Sequence, residues 1–210
     1  MNQNENHKKN DRYHHRRNHG NNRNRNENHT EAKAPTKILE NENKLKVELT
    51  QSEGYTRNLD PLVEGYRMPA ITLFNKEEEE FDLSEDKSIK VYVTIPSFKD
   101  KAIGNEVEKL ETILKEYPNI HCYLISNEPV FTQERLSKHY HFEKFRILSD
   151  FKNREFARST GTYIYEISAL VKSIFIVDKN ERIVYVRYYD DLYSNFNVNE
   201  INECIQNNID

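Results

Sequence analysis

An α/β fold with a mixed central sheet is predicted by three features of the sequence. Between Ile89 and Ser126 a β-branched run, an amphipathic segment and a second β-rich run follow one another, the order of a β-α-β unit. Farther on, Val171–Val177 and Arg182–Tyr189 are β-rich runs joined by the short turn Asp178-Lys179-Asn180-Glu181, the order of a hairpin. Parallel strands from the first unit and antiparallel strands from the second make the sheet mixed, and the prolines Pro96 and Pro118 mark its internal boundaries.

The chain of 210 residues has room for one domain and an appendage. Residues 1–29 hold ten asparagines, five of the eight histidines, and only Met1 and Tyr13 as sizeable apolar groups. Such a segment buries too little surface to offset the entropy of ordering it, which predicts a disordered tail. Seven Lys or Arg against three acidic residues give it +4, and because the whole chain carries −4, the remainder carries −8. Residues 30–41 read as a linker, so the expected organisation is a tail and linker over 1–41 and a domain over 42–210.

Within that domain, Lys44–Leu49 alternates with period two and predicts one arm of an exposed strand pair. Ala70–Phe74 and Phe81–Leu83 flank the acidic run Glu77–Glu80 and predict a second small hairpin. Ile89–Ile95 is β-branched and aromatic throughout, as a buried central strand requires, and Pro96 stops it. Ile103, Val107, Leu110, Ile113 and Leu114 recur at helical spacing over Lys101–Tyr117, and Pro118-Asn119 ends that helix. Ile120–Ser126 is the next strand, parallel to the first. Helices are expected over Thr132–His139, over Asn153–Ser159 with its end near Gly161, and over Val198–Asn207. This is the order of elements in the thioredoxin fold.

Cysteine is scarce. Cys122 and Cys204 form no CxxC pair and sit at no metal-ligand spacing, so neither a disulfide framework nor a zinc site is expected. No apolar run reaches the ~20 residues that span a bilayer and no secretory signal opens the chain, which points to a soluble cytoplasmic protein with no membrane association.

Several stretches resemble the thiol peroxidases, the atypical two-cysteine branch of the peroxiredoxins, over residues 44–207. "IPSFKD" is similar to the strand end before that family's peroxidatic loop, and "LISNEPVFTQERLS" to its segment ending in the resolving cysteine. "LSDFKNREFARSTGTYI" and "ALVKSIFIVDKNERIVYVRYYDDL" resemble its later stretches in the same order. The resemblance implies a peroxiredoxin-type thioredoxin-like fold with an N-terminal β-hairpin, a homodimer, no cofactor, and a thioredoxin-type reductant if the chain is active. It also implies a P-x-x-x-T/S-x-x-C motif, which from Pro96 puts Asp100 at the hydroxyl position and Ile103 at the peroxidatic cysteine. Ser137 falls at the resolving cysteine and Lys172 at the strand arginine.

An isoleucine offers no nucleophile, and a carboxylate at Asp100 disfavours any thiolate beside it. Lys172 keeps a charge but lacks the planar guanidinium fork. The expected site is therefore degenerate: Ile103 packs in the core, Asp100 caps the helix, and an Asp100–Lys172 salt bridge fills the pocket. Two other readings stay open. Cys122 or Cys204 could serve as a relocated peroxidase thiol, or pair with each other, and the basic tail could contact nucleic acid or, through His14, His15 and His19, bind a metal weakly.

Overall fold

A computed structural model of the chain describes residues 46–50, 53–56 and 61–208. The expectations for residues 1–41, including the tail's nucleic-acid and metal readings, lie outside the described residues. β1 (Lys46–Thr50) and β2 (Glu53–Thr56) pair antiparallel as a separate hairpin. β3 (Thr72–Phe74) and β4 (Glu80–Asp82) follow, and a 3-10 turn at Leu83–Glu85 leads into β5 (Ile89–Thr94). α1 (Lys101–Leu114), β6 (Ile120–Ser126), α2 (Val130–Ser137), β7 (Phe145–Ser149) and α3 (Glu155–Thr160) come next. The two-residue strands β8 (Tyr163–Ile164) and β9 (Ala169–Leu170) precede β10 (Ser173–Val177), β11 (Ile183–Tyr188) and α4 (Val198–Asn208).

Seven strands form one sheet in the order β11-β10-β5-β6-β7-β3-β4. β5, β6 and β7 run parallel and the other pairs antiparallel, so the sheet is mixed. All six residues of β5 are buried, which is why its sequence reads as a continuous β-branched and aromatic run. Ile89, Val91 and Val93 face a core shared with Ile103, Val107, Leu110 and Leu114 of α1 and Ile201 and Ile205 of α4. Tyr92, on the opposite face, packs with Phe156 and Ala157 of α3, Met68 and Ile71.

One departure from the sequence reading matters: the strand β7 is not among the predicted elements. The predicted second hairpin forms as β3–β4, and Phe74 also pairs with Ser149 of β7, which makes that hairpin an edge of the main sheet. The expected end of the third helix is borne out, since Gly161 closes α3 in the left-handed region at φ 70°.

Gly104, in the first turn of α1, lies under the ring of Tyr140, and a Cβ there would fall 2.2–2.4 Å from the ring atoms. Tyr140 is buried and stacked on Phe142 at 5.4 Å, so its ring has little room to retreat. Gly104→Ala is accordingly expected to destabilise the fold by about 1–3 kcal/mol, overpacking outweighing the ~1 kcal/mol that alanine gains in a helix. In a Tyr140→Ala background the sign should reverse, which urea unfolding of the two single variants and the double variant measures.

Candidate functional site

The carboxyl end of β5 runs through Pro96 into α1, and there the structure places three of the five residues marked by the motif. Asp100 is the N-cap of α1: its Oδ1 accepts from the amides of Ala102 at 2.9 Å and Ile103 at 3.4 Å. An extended residue with a short acceptor before a helix satisfies amides that the helix leaves free, so the carboxylate is held by the backbone. Its Oδ2 accepts from the Tyr193 hydroxyl at 3.4 Å. Ile103 is 1% exposed and sits in the core with Val107 and Phe98. The turn between Pro96 and Asp100 is braced from the segment after β6: Glu128 accepts from the Ser97 hydroxyl at 2.7 Å and from the Phe98 amide at 3.1 Å.

Lys172, just before β10, does not pair with Asp100. Its Nζ, fully buried, donates to Glu106 of α1, to the Ser194 carbonyl at 2.5 Å and to the Leu192 carbonyl at 3.3 Å. The ammonium also lies 4.4 Å from the Phe196 ring centroid and 5.0 Å from that of Tyr189. Burial lowers the lysine's pKa, and the Glu106 carboxylate opposes that shift. The expected Asp100–Lys172 salt bridge is thus replaced by Lys172–Glu106. One cause is that Asp100 is committed to the helix amides, and the other is that Glu106, one turn after Ile103 on the same side of α1, reaches the buried cation.

Ser137 closes α2, apart from the other four, with its hydroxyl on the Glu134 carbonyl at 3.4 Å. Tyr140, three residues on, is what contacts the start of α1. Cys122 is buried in β6, and burial pushes its thiol up to about 12. Cys204, half-buried on α4, is pushed up to about 11, also by burial, and both thiols are free. Glu106, Glu128, Gly104 and Tyr140 escaped the sequence reading. Glu106 carried a usable signal, lying three residues after Ile103 and four before Leu110 on the apolar side of its helix.

The Redoxin family profile matches residues 63–203, two thirds of the chain and the whole of the sheet that carries the site. The chain belongs to the Redoxin family. The Redoxin relatives it resembles include the thiol peroxidase of Clostridium acetobutylicum, 26% identical over 142 residues, covering 68% of this chain and 87% of the relative. The thiol peroxidase of Bacillus subtilis is 26% identical over 128 residues, covering 60% of this chain and 77% of the relative. Among solved Redoxin folds, a thiol peroxidase from Chromobacterium violaceum superposes with a TM-score of 0.71 at 18% identity, over 78% of this chain and 96% of that one. A peroxiredoxin-like protein from Aquifex aeolicus gives 0.69 at 19% identity, over 78% and 98%. The peroxiredoxin-type thioredoxin-like fold read from the sequence is therefore this chain's fold. Among the described residues, no helix is long and apolar enough to cross a membrane.

Proposed function

We propose that this Redoxin chain is a thiol-peroxidase-like protein with a degenerate site, retained for binding or regulation and not for peroxide reduction. The observation that carries the reading is Ile103, a core residue standing where the thiol-peroxidase motif has its nucleophile. Without a thiolate no sulfenic acid forms, so the first step of the reaction is missing and not slowed. The surrounding groups agree: the Asp100 carboxylate caps α1, and the Lys172 charge is consumed inside the protein by Glu106 and two carbonyls. A homodimer, as the resemblance implies, and a cytoplasmic location, as the sequence leads one to expect, belong to the same proposal, and sedimentation velocity measures the dimer.

The competing reading, a peroxidase that uses Cys122 or Cys204, is disfavoured by the raised pKa of both thiols. A thiol near 11 is roughly one part in ten thousand thiolate at pH 7, and reactive cysteines sit at far lower values. Hydrogen peroxide consumption with a thioredoxin-type reductant is expected to match that of Cys122→Ala/Cys204→Ala, at the uncatalysed background. Turnover tenfold above the double variant, with sulfenic acid or disulfide on either cysteine, would overturn the proposal and support the relocated thiol.

A further inference from the structure

At the amino end of β5, the opposite end of that strand from Asp100, a cleft of about 670 Å³ opens between three segments. It is lined by Gly65 and Arg67 from the segment before β3, by Lys87 before β5, and by Lys179, Asn180, Glu181 and Arg182 from the β10–β11 turn. Four cations converge there, although residues 30–210 together carry −8, so the cleft is a local reversal of the charge of the body.

The backbone holds two of these cations side by side. Arg67 and Arg182 are partners in an isolated antiparallel bridge, reinforced by Met68 N–H donating to the Glu181 carbonyl at 2.7 Å and Ile183 N–H to the Tyr66 carbonyl at 2.9 Å. Directly opposed residues put their side chains on one face, where like charges repel unless an anion lies between them. Among the described residues, none provides that anion. Glu181, the cleft's one acidic lining residue, is bonded through both oxygens to buried Lys90, at 2.7 and 2.8 Å. Asp178 nearby accepts from the amides of Asn180 and Arg182, both at 2.8 Å, which fixes the turn. Among the described residues, Arg67, Lys179 and Arg182 form no ion pair, and Lys87 reaches Glu181 only at 3.7 Å.

We propose that this cleft binds a diphosphate group, held by the guanidinium groups of Arg67 and Arg182 with Lys87 and Lys179 beside them. Paired guanidinium forks match tetrahedral oxoanions, and the volume exceeds what a single phosphate fills. Among the described residues, no aromatic side chain lines the cleft, so recognition rests on the phosphates and not on a stacked base. The site is independent of the degenerate pocket, about 20 Å away along β5 at ~3.3 Å per residue.

Titration of inorganic pyrophosphate into the ¹⁵N-labelled full chain tests this, because amide shifts separate the cleft from the basic N-terminal residues. Saturable 1:1 shifts at Gly65, Arg67, Asn180 and Arg182 are expected. Arg67→Gln/Arg182→Gln should weaken binding at least tenfold, and Lys109→Gln, on the exposed side of α1, should leave it unchanged. Arg67 and Arg182 are exposed, and an unchanged thermal midpoint verifies folding of the double variant. ADP binding more tightly than pyrophosphate identifies a nucleotide as the source of the diphosphate, and equal affinity identifies the diphosphate alone. Shifts confined to residues 1–29, shifts reproduced by chloride at equal ionic strength, or affinity unmoved in the double variant would each overturn the proposal.

Discussion

Replacing Glu106 with alanine is expected to destabilise the folded chain by about 3–5 kcal/mol, the cost of leaving one partner of a buried pair uncompensated. In a chain of this size that is a fall in Tm of roughly 6–20 °C. Lys172 has no exposed surface, and once Glu106 is gone its charge is left with two carbonyls and two aromatic faces. The same substitution removes the carboxylate that accepts from the Phe196 amide at 2.5 Å. The pH dependence has a definite sign. Burial lowers the Lys172 pKa below its ordinary 10.5, so the folded chain holds that proton less tightly than the unfolded chain does. The lysine's contribution is therefore least favourable at pH values below its folded pKa and improves as pH rises towards 10.5. Glu106→Ala lowers the folded pKa further, so the gap between variant and wild type should narrow from pH 7 to pH 10. Urea unfolding at both pH values measures this, and Glu106→Leu/Lys172→Met should recover most of the loss, since an apolar pair carries no desolvation cost.

That ion pair is one of several contacts that anchor the start of α1. Ile103 packs in the core, and Asp100 and Lys172 each take a role that stabilises the fold. Asp100 satisfies two amides of α1 and Lys172 ties α1 to the segment before α4 through Glu106 and the carbonyls of Leu192 and Ser194. Tyr140 then covers the first turn of α1 at Gly104.

Most of the fold was legible because its strands and helices have distinct periods. β6 matches its predicted bounds residue for residue, and α1 starts at the predicted Lys101. β7 escaped because its five residues, FRILS, interrupt the apolar pattern with an exposed Arg146, whose guanidinium finds the Phe81 ring at 3.9 Å only after β4 has docked nearby. Likewise, the joining of β3 to β7 rests on one pairing between residues 75 positions apart, Phe74 and Ser149, which no local pattern encodes. In the site, the capping role of Asp100 and the burial of Ile103 followed from helix spacing and hold in the structure. The partner of Lys172 did not follow, because the motif marks Asp100 and the competing carboxylate lies six residues, nearly two turns, farther along α1.

The second buried pair, at the other end of β5, should respond asymmetrically to loss of its two members. Glu181→Ala leaves Lys90, which has no exposed side-chain surface, with only the Asp86 carbonyl at 2.6 Å, and is expected to cost about 3–5 kcal/mol. Lys90→Met should cost less, about 1–3 kcal/mol, because Lys87 already lies 3.7 Å from Glu181 and, being largely exposed, can swing in to hold the orphaned carboxylate. Glu181 also occupies the left-handed region at φ 65°, a conformation that costs a side-chain-bearing residue about 1–2 kcal/mol and glycine almost nothing. Glu181→Gly should therefore be about 1 kcal/mol less damaging than Glu181→Ala, and the difference isolates backbone strain from the lost ion pair. Equal unfolding midpoints for Lys90→Met and Glu181→Ala would mean that Lys87 cannot substitute for Lys90, and that Glu181 depends on one lysine alone.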